Sequence, residues 1–438
     1  MSAIRFLFAV LDPRRRRLKR AGARFLISAC LICFLGLELP ETRLSSRLDS
    51  AGFQSSEGRN DGGNSLSGQS SRIPFELEAN HVILQGTVNG SGPFSFALDT
   101  AASWSAMSLK LAKALGLPLR GGGHTEGAGG RVEAAQVSSV SLSLPGATLS
   151  NLDIAAFSFE GLERHSGRPL DIILGYELFR RYVVEIDFAA KYINLFEPKT
   201  YEYDGNGEII PLAFHENLPH VRASIETPGQ KPITDKFVID VGSGYPVSLQ
   251  RHLIDKHQLR LKRGTIETHV TGVGGSIPVT IGRLSRLRLG RFSIQAALTM
   301  YPSTRRGVFA LSSIAGNIGT GVLRRFKVTF DYARARMILE PNSEFHQNDE
   351  YDMSGVRLVA EGPNLKDFRI AEILEASPAK DAGLQVGDLI VELDGRPASE
   401  VGIGKLRELF KQDDRDYYLK VKRGDKALGI KLRTRRLV

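Results

Sequence analysis

The sequence predicts a mainly β chain, with two duplicated β lobes each organised around one aspartate, followed by a small α+β domain. The first observation is a repeat: Phe96-Ala97-Leu98-Asp99-Thr100-Ala101-Ala102-Ser103 returns as Phe237-Val238-Ile239-Asp240-Val241-Gly242-Ser243-Gly244, 141 positions on (240 − 99). The second is that later landmarks repeat in the same order. His124 to Gly130 pairs with His269 to Gly275, and Ile172-Ile173-Leu174-Gly175 with Asn317-Ile318-Gly319. Arg180-Arg181-Tyr182 through Asp187 then pairs with Arg324-Arg325-Phe326 through Asp331. Ordered landmarks at near-constant spacing are the mark of an internal duplication. The third is a change of pattern after Asp352, where short strands alternate with short helices.

With 438 residues, 42% hydrophobic and 24% charged, the composition is globular, with room for two to four domains. The net charge of +10 does not indicate a nucleic-acid partner. Residues 1–24 hold eight Lys/Arg against one Asp, the remainder is close to balanced, and no basic-aromatic stripe follows. Residues 1–40 read as an export signal or signal anchor. Arg14 to Arg20 is the charged region, and the apolar run Phe25 to Leu37 is short for a membrane span. Ile27-Ser28-Ala29-Cys30 also fits a lipoprotein box superficially. Extracytoplasmic location, with membrane anchoring through this segment if it is retained, is the expectation. Cys30 and Cys33 are the two cysteines, so the rest of the chain has neither a disulfide nor a cysteine metal site. Residues 41–72 read as a flexible Ser/Gly-rich linker.

The first lobe is expected over 73–199 and the second over 205–341. Asn89-Gly90 between strand-like runs signals a hairpin, and Ser108 caps a short helix ending at Gly116. The glycine cluster at 127–130 lacks the Lys-Ser/Thr of a phosphate loop and reads as a mobile β-hairpin. Asp187 and Asp331 end matching strands and read as structural. No H-E-x-x-H pair and no G-x-S-x-G elbow occurs, so neither a metal nor another cofactor is expected.

An Asp-Thr/Ser-Gly-type turn, a glycine-rich hairpin and then a hydrophobic-hydrophobic-Gly segment, twice over, resembles aspartic proteases of the retropepsin and pepsin kind. The chain looks like two retropepsin-like acid-protease β-barrel units fused. The resemblance implies a catalytic pair, Asp99 and Asp240, sharing one proton and a water. It implies active-site turns at Thr100, Ala101, Ser103, Val241, Gly242 and Ser243, and flaps at Gly127, Gly129, Gly130, Gly272, Gly274 and Gly275. A peptide or protein substrate and a monomeric protease body follow from it. Three positions depart from the pattern. Val241 lacks the Thr hydroxyl that locks the opposite lobe, Ala101 replaces a glycine, and Gly244 lacks a hydroxyl where Ser103 is expected to bond its own carboxylate. Fewer donors around Asp240 make it the expected proton holder. Two functions stay open: an exported aspartic endopeptidase, or a non-catalytic peptide-binding scaffold.

The run S-P-A-x-x-A-G-L-x-x-G-D-x-I-x-x-x-D-G at 377–395 resembles bacterial PDZ domains, placing such a domain over 351–438. The resemblance implies a C-terminal peptide ligand bound by strand addition, its carboxylate held at Ser354, Gly355 and Val356. Asn342 to Glu350 reads as a polar connector, with body and C-terminal domain folding independently.

Overall fold

The computed structural model describes residues 72–259 and 264–438, together with the backbone of Leu26–Ser28, which pairs in parallel with His124–Glu126. The rest of the leader and of the linker, including Cys30 and Cys33, lies outside the described residues.

Strand His81–Val88 and strand Ser91–Leu98 form a hairpin turned at Asn89 and Gly90, both at positive φ, the backbone that a tight hairpin turn requires. Apolar residues on Ser91–Leu98 alternate inward and end on buried Leu98, so the chain emerges from the core at Asp99. Ile172–Leu174 then lies parallel to Phe96–Leu98 and antiparallel to Ala106–Met107. The second lobe repeats these pairings. Gly316–Gly319 lies parallel to Phe237–Asp240 and antiparallel to Val247–Leu249. Each lobe also carries a long hairpin, Arg120–Gly127 with Gly130–Leu144 in the first and Ile266–Gly272 with Gly275–Arg283 in the second.

A six-stranded sheet joins the lobes. At its centre Val183–Asp187 runs antiparallel to Phe326–Asp331, pairing Val184 with Phe330 and Ile186 with Val328. These four side chains are fully buried, and one hydrophobic core continues through both lobes. Asp187 and Asp331 serve the turns that follow these strands. Asp187 Oδ1 accepts the Ala190 amide at 2.9 Å, and buried Asp331 pairs with Arg336 at 2.8 Å and Arg334 at 3.2 Å.

The C-terminal domain is a separate sheet in the order 356–361, 367–373, 389–393, 416–423, 426–433. Its own core is built on Phe368, Ile370, Leu406, Phe410 and Tyr417. Ser377 caps helix Pro378–Asp381, accepting the Lys380 amide at 3.3 Å. A further helix of this domain runs Ile403–Leu409.

The connector departs from expectation. Phe345 packs between Phe292 and Phe326, with ring centroids 5.6 and 5.4 Å away. Buried Arg325 pairs with buried Asp349 at 2.7 Å, and Arg324 pairs with Glu344. Asn342, Glu344 and Asp349 are therefore spent on Arg324 and Arg325, so this part of the segment belongs to the second lobe, while Glu350 pairs with Arg283 and with Arg436 of the C-terminal domain. Phe345→Ala should cost about 3 kcal/mol through the cavity it leaves, read as a lower urea midpoint at unchanged slope. A midpoint equal to wild type would return the segment to the status of a linker.

Candidate active site

Both aspartates sit at the C-terminal ends of buried strands, Asp99 at 4% and Asp240 at 1% exposure. One hydroxyl ties their turns together. Thr100 Oγ1 donates to the Ile239 carbonyl at 2.7 Å and accepts the Val241 amide at 2.9 Å, so it bonds the opposite lobe on both sides of Asp240. Val241 cannot return this bond. Its carbonyl is held instead within its own lobe by Thr320 Oγ1 at 2.8 Å. At Ala101 the φ is not positive, and its amide still reaches Asp99 Oδ1 at 2.8 Å, so alanine costs nothing at that position. Gly242 is required by proximity, because a Cβ there would lie 2.5 Å from Asp99 Oδ1. The Asp99 carboxylate thus rests on the backbone of the Asp240 turn. The Ser243 carbonyl accepts the Thr320 amide at 2.8 Å and fixes the end of that turn.

Ser103 does not bond its carboxylate as expected. Its Oγ donates across the lobes to the Glu216 carbonyl at 2.7 Å. The reason lies in two hairpin tips that the sequence reading missed. Asn80 Nδ2 donates to the Gly244 carbonyl at 2.8 Å, and Asn217 Nδ2 to the Ser103 carbonyl at 3.3 Å. Each tip reaches over the other lobe's aspartate turn in a pseudo-twofold pair. At Gly244 the hairpin comes so close that a Cβ would meet the Ala79 carbonyl at 2.5 Å, which leaves no room for a hydroxyl-bearing side chain.

Burial drives the Asp240 carboxyl up from 3.8 to about 8, and the charge of Asp99 pushes in the same direction. Asn317 opposes the rise by donating to Oδ2 at 2.6 Å, with lesser help from the Gly242 and Ser243 amides. Oδ1 is buried with no hydrogen-bond partner among the described residues. Asn317 is a further residue the sequence reading passed over. Its counterpart in the first copy is the buried Ile173, so the pair is asymmetric by one donor.

Above the aspartates the two hairpins meet tip to tip. The Gly129 amide donates to the Val273 carbonyl at 2.7 Å. A Cβ on Gly127 would collide with Val273, one on Gly129 with the Gly275 backbone, and one on Gly274 with Gly130. Gly272 lies against Ala128. Val273 is buried in an apolar cluster with Ala102, Phe157 and Ile173 of the first lobe, while Ala128 packs against the cluster that holds Ala101, Val238 and Phe309. Each tip therefore places its small apolar side chain in an apolar recess beneath the other flap. An open cavity of about 520 Å³ lies elsewhere, between strand Ile266–Gly272 and residues 372–375, and neither aspartate lines it.

A family model described as aspartyl protease matches residues 84–178, and one described as PDZ domain matches residues 369–423. The chain carries an aspartyl protease domain and a PDZ domain. Among solved structures, the crystal structure of aspartic proteinase from Irpex lacteus is similar at a TM-score of 0.41 and 11% identity, over 64% of this chain and 99% of that one. No curated protein matches the sequence. In the PDZ domain, the loop residues Ser354 and Gly355 lead into the edge strand Val356–Glu361, which Val356 begins. Their three amides are already bonded. Ser354 and Gly355 donate to Asp352 Oδ1 at 2.9 Å each, and Val356 donates to Ser354 Oγ at 3.2 Å.

Thr100→Val in this aspartyl protease domain removes both bonds to the second lobe and strands a buried amide, a loss of about 2 kcal/mol. Thr100→Ser keeps the hydroxyl and should recover most of it. Urea midpoints of the three proteins decide this, and equal midpoints for Val and Thr would mean the bridge carries no stability.

Proposed function

We propose that the chain is an exported aspartic endopeptidase in which Asp240 carries the shared proton and Asp99 the charge. The observation that supports this best is the pair of buried carboxylates held against one another by the Thr100 bridge and Gly242, with burial and the Asp99 charge both favouring a protonated Asp240. Asp99 takes a proton from a water as its oxygen attacks the peptide carbonyl carbon, and Asp240 gives its proton from Oδ1 to the carbonyl oxygen. Collapse of the diol returns a proton from one of its hydroxyls to Asp240, while Asp99 passes its proton to the leaving nitrogen. The flaps exclude bulk water during these steps. Substrates are peptides or proteins in extended form. One chain supplies both aspartates, which favours a monomeric body. The basic-then-apolar leader supports export, followed by release or retention at a membrane.

Incubation of the purified protein with a peptide library from pH 3 to 8 tests this reading. Cleavage should be lost in both Asp99→Asn and Asp240→Asn, and cleavage by either variant at the wild-type rate leaves the scaffold reading standing. The alkaline limb of the rate profile should fall near the apparent upper pKa of the pair, well above that of an ordinary carboxyl. Removing the Asn317 donor removes stabilisation of the Asp240 carboxylate, so Asn317→Ala should move that limb to higher pH. A limb unmoved in Asn317→Ala would assign the acidity to other neighbours.

Stability carries the same signature with a definite sign. Asp240 binds its proton more tightly folded, at about 8, than at the ordinary aspartate value of 3.8, so between these values the folded state holds more protons and stability falls as pH rises. Asp240→Asn should therefore raise Tm relative to wild type more at pH 8 than at pH 4. An equal difference at both pH values would show that Asp240 titrates normally.

A further inference from the structure

The peptide groove of a PDZ domain lies between its edge strand and its long helix, here Val356–Glu361 and Ile403–Leu409. Both walls are engaged by the protease body. Helix Glu160–Ser166 of the first lobe packs along the edge strand, and Arg164 pairs with Glu361 at 2.8 Å. Gly167, which ends that helix, is pressed onto Ile403. A Cβ there would collide with the Ile403 side chain and lie 3.6 Å from Ala360, so this one residue touches helix and strand together. Gly404 is covered in turn by Glu78, whose Oε1 would lie 2.8 Å from a Cβ.

The remaining binding groups are also spent. Arg407 spans from the helix to the strand and donates to the Leu358 carbonyl at 2.8 Å, a group an added strand would need. Burial lowers its guanidinium to about 10, with the Asp352, Glu78 and Tyr245 charges opposing. Asp352 accepts the loop amides that a ligand carboxylate would take. His165 Nδ1 is buried beside these groups without a hydrogen-bond partner among the described residues, and its imidazole is held well below its ordinary value, first by burial and then by the Arg407, His81 and Arg357 charges.

We infer that the occupant of this PDZ groove is the protein's own first lobe, the segment Glu160–Arg168, with the Asp352 carboxylate standing where a ligand's C-terminus would bind. The domain is then an internal clamp and not an open receptor. Its grip extends to the aspartate turns, because Glu78, which covers Gly404, lies two positions before Asn80, whose side chain donates to the Gly244 carbonyl at 2.8 Å.

The test uses the full chain in an Asp240→Asn background, so that no peptide is consumed. A fluorescein-labelled hexapeptide ending in valine with a free carboxylate is titrated by anisotropy, and amide exchange is followed at 356–361. Gly167→Trp forces the segment off Ile403, and Arg164→Glu reverses the ion pair with less risk to folding. Both variants should bind the peptide at least tenfold more tightly than the parent and exchange faster at 356–361. A parent that binds as tightly as the variants overturns the proposal, as does unchanged exchange in both. Faster exchange without tighter binding also overturns it, because the segment would then be packing on the domain without occupying a peptide site. None of these outcomes depends on cleavage, so failure here leaves the protease reading untouched.

Discussion

The two halves of the site are held in register by one hydroxyl. Thr100 bonds the strand before Asp240 and the residue after it, and it does so from a position where it is itself fully buried. A buried hydroxyl with both donor and acceptor satisfied fixes separation and orientation together. Everything above it depends on that register: the closeness of Gly242 to Asp99, the crossing of the asparagine hairpins, and the meeting of the flaps. Val241 returns no such bond; Thr320 holds its carbonyl within the second lobe, and the Asn80 and Asn217 tips add further bonds between the lobes.

The asymmetry of the pair has a chemical meaning. Two buried carboxylates side by side cannot both ionise cheaply, and small differences in donors decide which one keeps the proton. Asp99 has the Ala101 amide on one oxygen. Asp240 has Asn317 on one oxygen and nothing from the described residues on the other, and its deeper burial outweighs that donor. At Asp240 burial is the leading cause of the rise, ahead of the Asp99 charge, and the Asn317 donor opposes both.

What could be read in the sequence was local or repeated. The strand-Asp-turn units, the glycine hairpins and the PDZ run each occupy a dozen or so consecutive residues, and duplication made the first two visible twice. What could not be read was carried by single side chains meeting distant backbone. Asn80 and Asn217 bond carbonyls in the opposite lobe, and a carbonyl acceptor leaves no mark on a sequence. Comparing the copies offers one clue, since both lobes place an asparagine at the hairpin tip that precedes the strand paired with the aspartate strand. Phe345 was hidden because one aromatic in a polar run has no period. Asn317 was hidden because its partner copy is isoleucine, so a polar residue in an apolar strand was read as part of a hydrophobic landmark.

The flap tips meet glycine on glycine, with a single backbone bond between Gly129 and Val273 as their polar link. The backbones interlock, with Gly129 against Gly275 and Gly274 against Gly130, so one flap moves only with the other. Entry is then a paired movement. Lifting Val273 and Ala128 exposes apolar surface of both lobes together.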